Sequence, residues 1–391
     1  MCWSVGSGEP SPGAWVVLPL RAQMRVNRWL LVALVMMAAW IMPSGVAHAD
    51  LPNPGRASSV SGDGFVSETP EETMHYWTVA RLDAARPLDT PRPHIADGNR
   101  RQPLQASPGG STPTRGQTDR VVGTLFTVNA AKGASYCTAS VVRSATRNII
   151  MTASHCDKGS HPLFIPGFIR RRGARIQPFG AYPVERFFKY SNSGSGETAE
   201  SNLDYMFARV KPCDGRQVQD RVGGFTLTRP SHYHNKGVTV FGYPRADDIA
   251  RKCVVETRRL SGYNQMIMDC HEFSGGVSGG PWITHYDARA HTGQLIGVTG
   301  GKNGGGYTDE ESFAPIVDGL TMQLFRDAVN NNAPAKPAPT GPTSVWAAKD
   351  AWKHAKLTAN GRFTGRRCAR CLERWRGKHV RRYDNHPSSR G

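Results

Sequence analysis

Short apolar runs recur between residues 121 and 310, and Gly, Pro or Asn residues bound most of them. Runs of this length, rich in Val, Ile, Phe, Thr and Tyr, are typical of β-strands. Repeated short strands with turn residues between them predict an all-β sandwich or barrel. The clearest predicted strands span 121–128, 148–152, 203–210, 237–243 and 294–299.

The apolar pattern changes on both sides of this region. Leu320, Leu324 and Phe325 lie at helical spacing and predict a terminal helix over residues 316–329. Residues 50–120 are rich in Pro, Gly, Ser, Thr and Arg, with one short candidate amphipathic element at 74–82. This composition favours a propeptide or a flexible arm, and the position after an export signal favours the propeptide.

The N-terminal region, residues 1–49, carries an export signal. Arg25 and Arg28 precede a 14-residue apolar run at 29–42, and Ala47-His48-Ala49 fits a cleavage site. We therefore predict a signal peptide at 24–49, because the run is too short for a transmembrane helix. The prediction is a secreted, extracellular protein in which disulfides are permitted.

The charge is concentrated at the C-terminus. A Pro/Ala-rich linker at 333–345 follows the predicted domain of residues 121–332, and a basic tail at 346–391 follows the linker. Residues 342–391 hold 13 Lys and Arg against 3 Asp and Glu, a net charge of +10 (13 − 3) out of +18 for the chain. Such a tail can hold a protein near anionic envelope polymer, lipid or nucleic acid, but its composition favours a solvated, disordered extension. No specific nucleic acid is predicted, and the oligomeric state is left open.

Three segments carry candidate chemistry. Ser278 lies in the glycine-rich block S-G-G-V-S-G-G-P-W, His155 ends M-T-A-S-H, and Asp204 heads an alternating apolar run. A serine in a glycine-rich turn can present its hydroxyl beside backbone N–H groups, as acyl transfer requires. Each segment alone also has an ordinary structural explanation, as a turn, a packed core residue or a strand cap.

Taken together, T-A-S-H-C, N-L-D and G-V-S-G-G-P-W resemble the motifs of the chymotrypsin-like serine peptidases, nearest the secreted bacterial glutamyl endopeptidases. The order His155, Asp204, Ser278, at separations of 49 and 74 residues, is the order of that type. The resemblance covers residues 121–330. It implies two six-stranded antiparallel β-barrels with a C-terminal helix, here flanked by disordered N- and C-terminal extensions.

The resemblance also implies roles for individual residues. Ser278 is the expected nucleophile, His155 the base, and Asp204 the residue that orients the imidazole, with the N–H groups of Gly276 and Ser278 as oxyanion donors. No cofactor or metal is expected, and the substrates are proteins or peptides. The implied disulfides join the following cysteines: Cys137 to Cys156, and Cys253 to Cys270.

The resemblance does not assign the remaining cysteines, and the chain departs from the trypsin pattern at the activation site. Cys213 is either a buried thiol or a partner of the tail, where Cys368 and Cys371 have a spacing that fits zinc poorly. Cleavage near Arg120 is expected to end the propeptide. Val277 occupies the position at which trypsin-type zymogens place the aspartate that pairs with the new N-terminus, so activation by that salt bridge is not expected.

Specificity rests on two pocket residues. Glu272, six residues before Ser278, is at the expected base of the primary pocket and favours Lys or Arg side chains. Thr299 lies where glutamyl endopeptidases carry a histidine, so a preference for Glu is not supported.

Three alternatives to a peptidase remain: a catalytically weak binding module on the same fold, an esterase, and an envelope or nucleic-acid binder dominated by the tail.

Overall fold

The computed structural model describes residues 64–89, 114–115, 119–157, 159–171, 174–244, 249–271, 273 and 275–334. The signal peptide, the linker beyond 334 and the basic tail therefore lie outside the described residues, as does Glu272. Within the described part, none of the helices has the length and the apolar character needed to cross a membrane.

The described chain begins with a short helical segment. Helix α1 (Pro70–Tyr76) and helix α2 (Val79–Ala84) are followed by the short strands β1 (Arg86–Pro87) and β2 (Thr114–Arg115). Part of the N-terminal extension is thus folded, although the composition of residues 50–120 predicts mostly unstructured chain. The reason lies in its apolar side chains, because Trp77 and Leu82 are buried in the core of the first barrel.

The first barrel is a closed antiparallel ring in the order β4-β3-β6-β9-β10-β5, with β5 pairing back onto β4. Strand β1 adds to its β4 side in parallel. A small hairpin, β7 (Ile169–Arg171) and β8 (Ala174–Ile176), lies between β6 and β9. The ring strands are β3 (Val122–Asn129), β4 (Gly133–Val142), β5 (Ile149–Thr152), β6 (Ser160–Pro166), β9 (Tyr182–Phe188) and β10 (Met206–Val210).

The second unit, which follows the short helix α3 (Val218–Val222), is also built of β-strands but divides into two sheets. One has the order β11-β17-β16-β12-β13-β2 and the other β14-β15-β18. The chain segments of β17 and β18 join them through the bridge between Gly297 and Ile316 and the hydrogen bond from Val317 N–H to Ile296 O at 2.9 Å. The strands are β11 (Thr226–Leu227), β12 (Val238–Gly242), β13 (Arg251–Val255), β14 (Arg258–Arg259), β15 (Gln265–Asp269), β16 (Pro281–Asp287), β17 (Thr292–Val298) and β18 (Glu311–Pro315).

The two sheets separate where β13 meets β14. Thr257, between them, does not continue the ladder: its N–H donates to Asn235 O at 2.9 Å and its hydroxyl donates to Tyr233 O at 2.7 Å. The all-β architecture, the closed first barrel and the positions of the predicted strands are confirmed. In the second unit, the described strands form one sheet of six strands and one of three.

Helix α4 (Gly319–Asn330) closes the described chain and confirms the predicted terminal helix. Asp318 caps its first turn by accepting from the N–H groups of Leu320 and Thr321, and Asn331 ends it in the left-handed conformation at φ 58°. Leu324 is fully buried, so the helix packs its apolar face on the first barrel.

Candidate active site

His155 and Asp204 lie at one end of the same strand pair. Strand β5 runs antiparallel to β10, with Thr152 opposite Met206. His155 follows β5 in a short 3₁₀ turn, and Asp204 immediately precedes β10. Since the end of one antiparallel strand lies beside the start of its partner, the two side chains meet.

Asp204 is fully buried and saturated with hydrogen bonds. Its Oδ1 accepts from Ser154 Oγ at 2.8 Å and from His155 N at 3.0 Å, while its Oδ2 pairs with His155 Nδ1 at 2.8 Å. Oδ2 also accepts from Gly301 N at 2.7 Å. Burial alone would raise the pKa of Asp204, but the nearby His155 and these hydrogen bonds lower it, so the carboxylate stays ionised.

The serine loop before β16 depends on glycine at two positions. Gly276 has φ +92° and Gly279 has φ +79°, both in the region that favours glycine. A Cβ on Gly279 would lie 1.9 Å from Thr152 Oγ1, and one on Gly276 would lie 2.5 Å from Tyr243 O. The loop is therefore packed against neighbouring strands as well as conformationally specialised.

Thr138, on β4 of the first barrel, fixes this loop across the interface between the two units. Its N–H donates to Ser278 O at 2.8 Å, and its hydroxyl donates to Gly276 O at 2.8 Å. The same hydroxyl accepts from Tyr243 N at 2.9 Å. Sequence reasoning missed Thr138, because nothing in the spacing of a threonine after Cys137 marks this role.

Thr299 lies beneath the serine loop rather than in an open pocket. It is fully buried, its N–H donates to Gly280 O at 2.8 Å, and its carbonyl accepts from Gly279 N at 2.7 Å. Its hydroxyl is paired with Trp282 Nε1 at 2.9 Å. In this structure Thr299 therefore supports the loop, while Glu272, its predicted companion in the pocket, lies outside the described residues.

Asp89, the last described residue of the N-terminal segment, lies in the centre of the site. Its Oδ1 is 3.2 Å from His155 Nε2, and its Oδ2 accepts from Gly276 N at 3.1 Å. Ser278 is fully buried and lies near the same carboxylate, although its hydroxyl meets no partner in hydrogen-bond geometry among the described residues. No sequence pattern pointed to Asp89.

The electrostatics of the site follow from this arrangement. Burial alone would lower the pKa of His155, but the carboxylates of Asp204 and Asp89 outweigh it and raise that pKa well above its ordinary value. Burial would raise the pKa of Asp89, but His155, Ser278 and Gly276 lower it. Both imidazole nitrogens face carboxylate oxygens, an arrangement that favours the imidazolium form of His155, in which each nitrogen has a proton to donate.

The predicted cysteine pairs come together at disulfide-bonding distance. Cys137 and Cys156 have a Cα–Cα distance of 6.1 Å, and Cys253 and Cys270 one of 6.4 Å. The first pair joins β4 to the turn that carries His155. Cys137, His155 and Cys156 lie close enough together to hold an ion, but a bridged pair has no thiolate to offer a metal.

No protein-family model matches this chain, and no curated protein matches it. Solved structures that resemble it include the protease Anisep from Arthrobacter nicotinovorans, at 20% identity and a TM-score of 0.46, covering 55% of this chain and 98% of the other. The thermostable serine protease AL20 from an extremophilic microorganism shows 20% identity, a TM-score of 0.46, and coverage of 55% and 99%. A Glu endopeptidase in complex with MPD shows 15% identity, a TM-score of 0.43, and coverage of 57% and 98%.

Proposed function

We propose that this chain is a secreted serine endopeptidase that hydrolyses peptide bonds through an acyl-enzyme on Ser278. His155 is the general base and Asp204 orients its imidazole. One observation carries the proposal: His155 Nε2 and Gly276 N–H converge on a single carboxylate next to Ser278. That convergence supports a centre in which a proton acceptor and an anion-binding N–H flank a serine hydroxyl.

The chemistry follows from the roles of these groups. Asp204 holds the Nδ1 proton of His155, so in the absence of Asp89 the unprotonated Nε2 faces Ser278 and accepts its proton as the hydroxyl attacks the scissile carbonyl. The negative charge that develops on the carbonyl oxygen is stabilised by the N–H groups of Gly276 and Ser278. His155 then donates its proton to the leaving amine, and water releases the acyl group.

The substrate preference is a separate part of the proposal. Glu272 precedes the nucleophile by six residues, and a carboxylate at the pocket base favours Lys or Arg at the cleaved position. Profiling with a peptide library tests this preference. Cleavage after Lys or Arg that is lost in Glu272→Gln would support it, and cleavage after Glu would contradict it.

The basic tail is proposed to hold the enzyme near anionic envelope polymer, separately from catalysis. Deleting residues 335–391 is expected to leave the rate of peptide hydrolysis unchanged and to release the protein from cell-wall preparations. Retention of the shortened chain on the cell wall would contradict this role.

The alternative function, a binding module without catalysis, is favoured by one observation: Ser278 is fully buried, and the Asp89 carboxylate contacts both His155 Nε2 and Gly276 N–H beside it. A fluorophosphonate probe separates the two functions when applied to the full-length chain with Asp89→Ala, which removes the covering carboxylate. Labelling at Ser278, absent in the matched Asp89→Ala, Ser278→Ala chain, is the result expected for a peptidase. A folded chain that has the Cys137–Cys156 and Cys253–Cys270 disulfides but does not react would favour the binding module.

A further inference from the structure

The N-terminal segment, residues 64–89, begins by pairing with the first barrel. Phe187 N–H of β9 donates to Gly64 O at 2.9 Å, and Val66 N–H donates to Glu185 O at 3.1 Å. The guanidinium of Arg186 lies over the Phe65 ring at 4.2 Å. The segment is therefore attached from its first described residues.

Its two helices are held by packing. Helix α1 has a capping box between Thr69 and Glu72, but helices of 7 and 6 residues are too short to be stable alone. Trp77 is buried against Phe126, with ring centroids 5.4 Å apart, and its indole N–H donates to His161 O at 2.6 Å. This burial makes the segment part of the hydrophobic core.

The end of the segment is directed into the catalytic centre. Strand β1 runs parallel to β4, and Leu88 N–H donates to Tyr136 O at 3.0 Å. Tyr136 precedes Cys137, whose disulfide partner Cys156 is next to His155. This pairing places Asp89, the residue after Leu88, beside the imidazole of His155.

Asp89 obstructs the centre in two ways. Its Oδ2 takes the Gly276 N–H, which an oxyanion would need, and its Oδ1 faces His155 Nε2. A protonated Nε2 has no lone pair with which to accept the proton of Ser278. The contact therefore blocks both the oxyanion site and the base.

We propose that residues 64–89 are a built-in inhibitor of this centre, with the Asp89 carboxylate as the inhibitory group. The inference rests on the proposed function. It differs from occupation by a substrate, because the group that faces Gly276 is an ionised side-chain carboxylate without an amine leaving group. The segment can therefore fill the centre without being consumed by it.

Removal of the inhibitor requires more than a cut after Asp89. The contacts of Trp77, Phe65 and Leu88 with the barrel are non-covalent and do not depend on the chain that follows. A cleaved chain therefore stays inhibited until the segment also dissociates.

The test compares rates of fluorophosphonate labelling at pH 7.5 for the full-length chain and its Asp89→Ala, Asp89→Asn and Glu71→Gln variants. Glu71 is an exposed acid on helix α1 and is the matched control. Mass spectrometry of the intact protein identifies the labelled chains that still contain residues 64–89, and only these are counted. We expect Asp89→Ala to react at least ~10-fold faster than the parent, equivalent to 1.4 kcal/mol, with Glu71→Gln unchanged.

The outcomes distinguish the two proposals. Equal labelling of the parent and Asp89→Ala would overturn the inhibitory role while leaving the peptidase intact. If folded Asp89→Ala did not react at all, the proposed function itself would fail. Asp89→Asn keeps the shape but not the charge, so a rate above that of the parent is expected from it as well.

A second measurement needs no activity. The NMR signal of the His155 imidazole is followed as a function of pH in a Ser278→Ala chain. A chain that also carries His155→Gln identifies this signal by its absence. The charged groups that act on His155 are Asp204, ahead of β10, and Asp89, after β1. We expect His155 to titrate at least about one pH unit lower when Asp89→Asn is added, since one of its two carboxylates is lost. An unchanged titration would mean that Asp89 does not occupy the site in solution.

Discussion

Replacing Asp204 with asparagine tests the orientation of the imidazole most directly. Each carboxylate oxygen of Asp204 accepts two hydrogen bonds, and one donor of each pair is a backbone N–H that cannot rotate away: His155 N on Oδ1 and Gly301 N on Oδ2. The amide nitrogen of the introduced asparagine must face one of these pairs. Whichever way it turns, one buried N–H loses its acceptor, at a cost of about 1–3 kcal/mol.

The two orientations differ in their effect on the base. With the amide nitrogen at the Oδ1 position, the Ser154 hydroxyl reverses and the His155 tautomer is kept. With the nitrogen at the Oδ2 position, His155 Nδ1 becomes an acceptor and Nε2 carries the proton. The second orientation is favoured even without Asp89, because it leaves only the Gly301 N–H without an acceptor, whereas the first leaves both the His155 N–H and the Ser154 O–H without one. We therefore expect the wrong tautomer, with a rate loss on the order of 10⁴.

The assay combines urea unfolding with fluorophosphonate labelling, the latter in the Asp89→Ala background. Ser154→Ala is the control, because it removes one of the four hydrogen bonds to Asp204 without changing the tautomer. We expect it to cost about 1.5–3 kcal/mol of stability, as for a hydrogen bond to a charged group, with little loss of labelling. If Asp204→Asn labelled as fast as Ser154→Ala, the assigned role of Asp204 would be wrong.

Three further changes have defined outcomes. Converting Cys137 and Cys156 to serine opens a loop with a sequence separation of 19 and should lower the free energy of unfolding by about 3 kcal/mol, measured in urea. Gly279→Ala places a methyl group 1.9 Å from Thr152 Oγ1 at a positive φ, so labelling of Ser278 should be lost even where the chain folds. Trp77→Ala removes the main buried anchor of the N-terminal segment, at a cost of about 3–5 kcal/mol, and should expose residues 64–89 to limited proteolysis.

Matched variants isolate each cause. Converting Cys253 and Cys270 opens a loop of similar length away from His155, so stability should fall without loss of labelling. Gly133→Ala also has a positive φ, at +70°, but its Cβ meets nothing within 4 Å, so it should cost only the backbone strain. Val79→Ala changes a residue that is 49% exposed and should leave the segment protected.

The parts of the fold that could be predicted from the sequence are those specified by local patterns. Continuous β-rich runs identify strands such as β3, and the spacing of Leu320 and Leu324 identifies helix α4. The three candidate catalytic residues are marked by motifs. The structure places His155 beside Asp204 by way of one strand pair, which no local pattern specifies.

The rest depends on contacts between distant parts of the chain. Helices α1 and α2 are too short to show a distinctive periodicity of apolar residues in the sequence. They are stabilised because Trp77 and Leu82 pack into the core of the first barrel. Asp89 reaches His155 across 66 positions of sequence. In the sequence, Asp89 is a single aspartate in a Pro-rich stretch and cannot be distinguished from a solvent-exposed acid. Only the folded chain places it against the His155 imidazole.

The hydrogen bonds of Thr138 are expected to break before the two β-units unfold. Thr138 joins the Ser278 loop of the second unit to the first barrel by hydrogen bonds of 2.8 Å from its N–H and its hydroxyl, while the second unit keeps a buried apolar cluster of its own. A separation of the units by about 1 Å breaks these bonds and leaves the sheets folded, and a misplacement of that size can reduce a rate on the order of 10²-fold. The reactivity of Ser278 in the proposed catalytic centre should therefore report on the interface: in mild denaturant it should disappear before the circular dichroism of the barrels changes.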